Sequence, residues 1–251
     1  GAGYLACGYI GKGRLEEPKE IIQVIQNHLI NRQRLKGIKV LISAGPTREI
    51  IDPVRFLSNR SSGKTGFAFA EEAANLGAEV TLVTGPVELE VHHPNIKRID
   101  VTTAEDMYEA MHRYFPSSDI VIKTAAVSDY KPVETYANKV KKQPGNLSIE
   151  MERTQDILAS LGEQKTTQFL VGFAAETQNV LEYGLDKLKR KNLDAIVINN
   201  VKKSNIGFAS NNNIVTYINK NEERIEYPLL SKHDIAKKIL VQICEQRDGL
   251  Q

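Results

Sequence analysis

The sequence contains no tryptophan, only two cysteines, no excess of one charge sign and no long apolar run. Cys7 and Cys244 lie at opposite ends of the chain, which argues against a disulfide framework and favours a reducing, cytoplasmic setting. No apolar stretch approaches the roughly 20 residues that a membrane helix needs. The 33 basic residues outnumber the 31 acidic ones by only two, too few for a nucleic-acid-binding surface. We therefore expect a globular chain with no membrane or nucleic-acid partner.

The sequence does contain a regular alternation of short β-branched runs and longer helical segments. This pattern predicts a Rossmann-like three-layer α/β sandwich, with a mostly parallel sheet, helices on both faces and a C-terminal hairpin. The predicted strands are 39–44, 79–84, 97–101, 120–124, 169–173 and 194–199, and the hairpin pairs 213–219 with 224–227. The predicted helices are 64–76, 104–115, 156–162, 176–191 and 231–246.

The first part of the chain differs from the rest. Residues 7–18 are glycine-rich, residues 19–33 have the spacing of an amphipathic helix, and residues 31–37 are a polar stretch. A total of 251 residues suits one large domain with an appendage. We place the domain boundary near residue 36, between a segment 1–36 and a domain 37–251.

A stretch of about nineteen residues between the first strand and the first helix is too long for an ordinary connection, and it favours function. Its end, Gly63-Lys64-Thr65, is not a P-loop, because Ser58 stands where that motif needs glycine. The dinucleotide fingerprint is also incomplete. Backbone amides at 61–63 either bind a phosphate or carboxylate or simply cap a helix. Arg55 and Asn59 in the same stretch favour an anionic ligand.

Lysines supply a second candidate feature. Residues 139–142 read Lys-Val-Lys-Lys, and Lys187 and Lys191 lie one turn apart on a predicted helix. Taken alone, both groups are typical of solvated surface, yet together with a helix N-terminus they suit a polyphosphate. The histidines lack the spacing of a zinc site.

From residue 38 onward the chain resembles the phosphopantothenate–cysteine ligase (phosphopantothenoylcysteine synthetase) domain family. The resemblance rests on the stretches SAGPTREIIDPVRFLSNRSSGKTGFA, TAAVSDY, NKVKKQ, VGFAAET and KNLDAIVINN. The segment ACGYIGKGRLEEP resembles the end of the decarboxylase domain that precedes this ligase in bifunctional proteins. Residues 1–36 would then be a decarboxylase remnant with linker, in which Cys7 is idle.

The resemblance implies a ligase in coenzyme A biosynthesis. It joins 4′-phosphopantothenate to L-cysteine through an acyl-cytidylate made from CTP, and it releases pyrophosphate and CMP. Mg²⁺ is expected with CTP, without protein metal ligands, and FMN is expected only in the missing decarboxylase portion. A homodimer and a flap near Lys139 are also implied.

The resemblance also implies residue roles. Lys139 would serve acyl-cytidylate formation, Asn59 would stabilise that intermediate beside Arg55, and Asp129 would accept the cytosine amino group. The implied catalytic residues are Asn59, Lys139 and Arg55. The implied CTP-binding residues are Lys123, Thr124, Ala125, Asp129, Lys139, Gln155, Asp156, Ile157, Leu158, Phe173, Lys187 and Lys191. The implied substrate-binding residues are Arg55, Asn59, Ser61, Ser62, Gly63 and Ala126.

Two alternatives stay open at this point. One is an NAD(P)-dependent oxidoreductase on the same fold, and the other is a non-catalytic scaffold for a decarboxylase.

Overall fold

A computed structural model describes residues 2–4, 10–12, 17–22, 33–142, 144–176, 180–200 and 210–249, and its centre is one eight-stranded sheet. The strands of this sheet are β3 (Lys39–Ala44), β6 (Glu79–Thr84), β7 (Ile96–Asp100), β8 (Ile120–Lys123), β11 (Phe169–Glu176), β12 (Ala195–Asn200), β13 (Asn212–Asn219) and β14 (Arg224–Ser231). Their spatial order is β14-β13-β12-β11-β8-β3-β6-β7. All neighbours from β12 to β7 are parallel, whereas β13 and β14 continue the sheet antiparallel.

Three small antiparallel pairs lie outside this sheet. The strands β1 (Ala2–Tyr4) and β2 (Ile10–Lys12) form the first pair. The second pair joins β4 (Arg48–Ile50) to β5 (Phe56–Ser58), and the third joins β9 (Tyr130–Pro132) to β10 (Met151–Arg153). The second and third pairs both follow central strands of the sheet at their carboxyl ends, so they flank the edge where such folds bind ligands.

Helices cover both faces of the sheet. The helices are α1 (Lys64–Asn75), α2 (Ala104–Tyr114), α3 (Ile157–Gln164), α4 (Val180–Arg190) and α5 (Lys232–Asp248). Apolar residues of α1 and α5 share one buried cluster with the sheet, and residues of α2, α3 and α4 share another. Two separate cores on opposite faces make a three-layer sandwich, which confirms the predicted fold class.

Local chemistry sets where the helices begin. The Thr103 hydroxyl accepts from the Asp106 amide at 3.1 Å, and the Asp106 carboxylate accepts from the Thr103 amide at 2.9 Å, so α2 starts in a reciprocal capping box. Ser231 caps α5 by accepting from the Asp234 amide at 3.0 Å. In contrast, α1 begins at Gly63 in the left-handed region with φ of 76°, and no side chain caps it.

The observed elements differ from the predicted ones in several places. The long stretch before α1 contains the β4–β5 hairpin, and β9 occupies a stretch whose sequence carries little secondary-structure signal. Three-residue strands lack the period-2 run that makes longer strands visible in sequence. The predicted helix 176–191 begins at Val180 in the described residues. Residues 18–22 of the predicted helix 19–33 are helical, and residues 23–32 lie outside the described residues.

The predicted polar stretch 31–37 is not a free linker where the structure describes it. Leu35 is only 1% exposed, and its amide donates to the Leu76 carbonyl at 2.9 Å. A single apolar side chain among polar neighbours therefore joins the core beside α1, and the packed unit includes residue 35.

Helix α1 packs directly onto β3 through Gly66. A Cβ at this position would lie 2.5 Å from the Ala44 Cβ and 2.6 Å from the Thr124 Oγ1. The absence of a side chain thus permits the close approach of helix and sheet.

We predict that Gly66→Ala lowers the free energy of unfolding by roughly 1–3 kcal/mol, because overpacking forces the backbones apart. Without the clash, the same change in a helix interior would stabilise by about 1 kcal/mol. Urea denaturation measures the effect, and Gly249→Ala is the control because a Cβ there meets its nearest atom at 3.5 Å. An unchanged unfolding midpoint for Gly66→Ala would contradict the packing argument.

Candidate functional site

A cleft of about 810 Å³ lies at the carboxyl ends of β8 and β11, between the β9–β10 hairpin and the first turn of α3. This volume is within the range of roughly 300–1,000 Å³ typical of small-molecule sites. The structure brings twelve sequence-predicted residues together in its lining. They are Asn59, Lys123, Ala125, Ala126, Asp129, Gln155, Asp156, Ile157, Leu158, Phe173, Lys187 and Lys191.

Three lysines converge in the cleft from different elements. Lys123 ends β8 and donates to the Ala125 carbonyl at 3.3 Å. Lys187, in the last turn of α4, donates to the Phe173 carbonyl at 3.2 Å. Lys191 follows that helix, and its Nζ lies 2.6 Å from the Asp156 carboxylate. Three ammonium groups around one cavity make it strongly cationic.

The crowding of these charges changes the pKa of Lys123. Burial and the positive charges of Lys187 and Lys191 together lower the pKa of Lys123 to about 8, against the opposing effect of Asp156 and Asp129. A lysine with a lowered pKa gains when an anion arrives, because the anion offsets both the desolvation and the repulsion.

Asp156 is the main counter-charge in the cleft, and it has two tasks. Its Oδ1 accepts from the Ala159 amide at 3.0 Å, which caps α3, and its Oδ2 accepts from Lys191. Burial would raise the pKa of Asp156, but the hydrogen bonds from Lys191 and Ala159 outweigh it and lower the pKa. Asp156 is therefore ionised at neutral pH, and it holds Lys191 at the cleft wall.

Asn59 is fixed to the opposite side of the cleft. Its Nδ2 donates to the carbonyls of Ala126 at 3.3 Å and Val127 at 3.0 Å, in the loop after β8. These bonds tie the end of β5 to that loop. The side chain stays solvent-exposed, and its Oδ1 is an acceptor available to a ligand group.

The floor of the cleft is apolar. Ile157 and Leu158 are buried at the start of α3, and Phe173 contacts Phe69 edge-on, with ring centroids 5.5 Å apart. A cavity lined both by cations and by apolar residues suits a ligand that carries both a phosphate and a ring.

Several sequence-predicted residues do not line the cleft. The Arg55 guanidinium is bonded to the Asp52 carboxylate at 2.6 Å. Thr124 donates to the Ser43 carbonyl at 2.6 Å and so faces the packing between β3 and α1. Lys139 is exposed in the connection between β9 and β10. The others outside the lining are Ser61, Ser62 and Gly63, at the start of α1.

The lysine next to Gly63 has a partner of its own. Its Nζ donates to the Asn211 Oδ1 at 2.7 Å, which links the start of α1 to the strand β13 region. Residues 63–65, which resemble part of a P-loop, therefore form a helix start whose lysine is hydrogen-bonded to another part of this protein.

Six lining residues escape the sequence prediction: Arg60, Val127, Ser128, Tyr130, Arg153 and Thr154. Arg60 directly follows the predicted residue Asn59, and this adjacency is the one signal in the sequence that points to Arg60. Tyr130 and Arg153 face each other across the short β9–β10 pair, whose register pairs them. Without that pairing, residues 23 positions apart have no visible relation in the sequence.

Metal ligands and membrane spans are absent from the part of the chain that the structure describes. Within it, no group of three or more histidine, cysteine or acidic residues is arranged to hold a metal ion. None of its helices is long and apolar enough to cross a membrane. Cys244 is buried, and burial raises the pKa of its thiol, whereas Cys7 lies outside the described residues.

Comparison with known proteins places this fold and cleft in a family. The chain belongs to the family described as the DNA/pantothenate metabolism flavoprotein C-terminal domain, whose model matches residues 35–246. The chain is 50% identical over 243 residues to the coenzyme A biosynthesis bifunctional protein CoaBC of Bacillus subtilis, covering 96% of this chain and 60% of that protein.

Two further comparisons agree with this placement. A protein described as cysteine/cysteine sulfinic acid decarboxylase, from an unknown prokaryotic organism, is 44% identical over 248 residues, with 97% of this chain and 69% of that protein covered. The crystal structure of the C-terminal domain of a CoaBC protein superposes with a TM-score of 0.74 at 47% identity, covering 86% of this chain and 99% of that one. The fold prediction is thereby confirmed.

The comparisons contradict the predicted enzyme class. The family description names a flavoprotein, and one relative aligned over 97% of this chain is described as a decarboxylase. The prediction of a CTP-dependent phosphopantothenate–cysteine ligase is corrected on this ground. The physical reason is that lysines suited to a triphosphate suit any phosphate-bearing ligand, so the residue pattern does not single out CTP.

The cofactor prediction is corrected in the same way. It places Mg²⁺ with CTP here and FMN only in a missing portion, but the flavoprotein description falls on residues 35–246 of this chain. The sequence lacks any pattern that separates a flavin phosphate from a nucleotide phosphate, which is why the prediction divided them incorrectly.

Proposed function

We propose that this chain acts in coenzyme A biosynthesis and that its cleft binds a phosphate-bearing ligand of mononucleotide size. The observation that carries the proposal is the convergence of Lys123, Lys187 and Lys191 on one cavity. The names of the relatives support the pathway, and this chain spans about 60% of the length of the Bacillus subtilis relative.

Electrostatics supports a phosphate over a neutral ligand. Three lysines share the cleft with two carboxylates, Asp129 and Asp156, and Arg60 and Arg153 add two cations at the rim. Five cations against two anions leave a positive excess. A phosphate carries up to two negative charges and three acceptor oxygens, so it satisfies several of these donors at once.

Size and shape support a mononucleotide. The cavity exceeds what a bare phosphate needs, and the apolar floor of Ile157, Leu158 and Phe173 offers a surface for a ring. FMN, which the family description implies, fits this arrangement: its phosphate would meet the lysines and its ring the apolar floor. When bound, FMN supplies redox chemistry, while the residues of this chain bind and orient it.

We further propose that the chain forms a homodimer. Apolar side chains are exposed on the β4–β5 hairpin, where Val54, Phe56 and Leu57 are 44–60% exposed, and on the adjoining stretch with Val133 and Tyr136. The Tyr136 amide donates to the Ile51 carbonyl, so the two stretches are neighbours. A contiguous exposed apolar surface of this kind marks an interaction site.

The domain boundary near residue 36 and the cytoplasmic setting stay predictions.

We predict that FMN binds more tightly than riboflavin, which lacks the phosphate, and that Lys123→Met and Lys187→Met reduce this difference. A lost charge-assisted hydrogen bond costs about 1.5–3 kcal/mol, or roughly 10–150-fold in Kd. Isothermal titration calorimetry measures the affinities. Lys189→Met is the matched control, because Lys189 lies on the same helix and pairs with Glu222 at the surface.

The same titration with a nucleoside triphosphate and its nucleoside distinguishes a nucleotide ligand from a flavin ligand. Equal affinity for phosphorylated and unphosphorylated partners in both pairs would contradict the proposed function.

We predict that the affinity for the phosphorylated ligand falls by about tenfold between pH 7 and pH 9. The pKa of Lys123 is about 8, so its ammonium is charged at pH 7 and largely neutral at pH 9. The phosphate stays doubly charged over this range, since its second pKa is near 6. Lys123→Arg should flatten the profile because a guanidinium stays charged. A wild-type affinity independent of pH would contradict the role of Lys123.

We predict that Val54→Glu shifts the chain from dimer to monomer, because a buried unpaired carboxylate is costly at an apolar interface. Sedimentation equilibrium measures the mass. Leu229→Glu is the control, since Leu229 is 49% exposed on β14 and outside the proposed interface. A monomeric wild-type chain would contradict the dimer.

A further inference from the structure

The carboxylate of Asp52 is almost fully buried and joins two segments that are far apart in sequence. Its Oδ1 accepts from the amides of Val54 at 2.9 Å and Arg55 at 2.8 Å, within the β4–β5 turn. Its Oδ2 accepts from the Arg55 Nη2 at 2.6 Å and from the Val140 amide at 3.2 Å. Arg55 in turn donates to the Val140 carbonyl at 2.7 Å. Asp52, Arg55 and Val140 form what we term the Asp52 latch.

The latch holds both backbone groups of one residue in the lysine-rich stretch. Val140 is bonded through its amide and its carbonyl, so the local backbone orientation is determined. Its neighbours Lys139 and Lys141 are exposed. A second bond, from the Tyr136 amide to the Ile51 carbonyl at 3.0 Å, fixes the same stretch four residues earlier. Residues 136–140 therefore lie along the β4–β5 hairpin.

The hairpin and the stretch both connect to the cleft. Asn59 and Arg60, just after β5, line the cleft, and the chain that carries 136–140 leaves from Tyr130 in the cleft wall. It returns through Arg153, which pairs with Tyr130. The latch therefore joins two chain segments that each continue into the cleft lining, one at Asn59 and the other at Tyr130.

We infer that Asp52 is a positioning residue that holds the lysine-rich stretch 136–142 on the β4–β5 hairpin, whose chain continues into the cleft lining at Asn59, and thereby supports ligand binding. The part of this inference that concerns ligand rests on the proposed function. The inference also gives Arg55 a role through Asp52 and Val140, in place of a direct contact with an anionic ligand.

The latch is charged under all ordinary conditions. Burial would raise the pKa of Asp52, but the hydrogen bonds from Arg55, Val54 and Val140 outweigh this effect and hold the pKa well below its usual range. A carboxyl with such a pKa is ionised at every pH above about 4. The charge of Asp52 is therefore constant over the physiological pH range.

The Asp52→Asn variant removes the contacts of the latch and leaves the β4–β5 turn intact. An asparagine keeps an acceptor oxygen for the amides of Val54 and Arg55, as in an ordinary Asx turn, so the hairpin survives. Its Nδ2 donates where Oδ2 accepts, so it faces the Arg55 guanidinium and the Val140 amide with a donor. If Asp52 served only to stabilise the turn, this variant would match the wild type in hydrogen exchange at 136–142 and in ligand affinity.

The test is amide hydrogen exchange on the full chain without ligand, comparing wild type, Asp52→Asn and Asp100→Asn. Asp100 pairs with Arg98 at 2.7 Å away from the cleft, so it is a matched carboxylate–arginine control. We expect exchange in peptides covering 136–142 to rise by roughly tenfold or more in Asp52→Asn, with α1 and β3 unchanged. Asp100→Asn should leave 136–142 as in wild type.

Ligand affinity completes the test, using FMN and a nucleoside triphosphate as probes. We expect Asp52→Asn to weaken the probe that wild type binds by about three- to tenfold. Unchanged exchange at 136–142, or a rise throughout the chain, would overturn the latch. Raised exchange with unchanged affinity would overturn its support of binding. If wild type binds neither probe, the proposed function fails, and exchange alone decides for or against the latch.

Discussion

Repulsion among three ammonium groups is the constraint around which the cleft is organised. Left to themselves, Lys123, Lys187 and Lys191 would separate into solvent. The fold holds them together by placing Lys123 at the end of a buried parallel strand and the other two at the end of α4. The carbonyl end of that helix is the negative end of its dipole, which offsets part of the repulsion. Asp156 offsets more of it by pairing with Lys191.

The two small hairpins complete the cleft from the side. The β4–β5 hairpin supplies Asn59 and Arg60, and the β9–β10 hairpin supplies Tyr130 and Arg153. Both are inserted at the carboxyl edge of the sheet, where strands need not continue the ladder and connections are free to vary. The rigid sheet and helices thus hold the central cations, while the insertions hold the rim. The Asp52 carboxylate pairs with Arg55 and accepts from the Val140 amide, so it joins the two insertions to one another.

How much of this is predictable from sequence depends on the length of the pattern. The six long strands and their helices are visible because each carries a sustained apolar pattern, and the caps Thr103 and Ser231 are of residue types that favour helix starts. The short hairpins are not, since three residues carry no period. Most of the cleft follows from motif resemblance, whereas Arg153 becomes visible only through strand pairing. The reaction class was predicted wrongly because phosphate-binding cations are common to many chemistries.

The cleft forms only when the central sheet has folded. Its cations come from positions 123, 187 and 191 and its rim from 59, 60 and 153, on strands and helices that become neighbours only when β3, β8 and β11 have paired in parallel. Parallel pairing brings together residues that are distant in the chain. The site therefore forms only after the chain has lost the conformational entropy that closing these long loops requires. An unfolded or partly folded chain therefore has no binding site. A ligand that binds only the completed cleft would therefore draw the population toward the folded sheet by mass action.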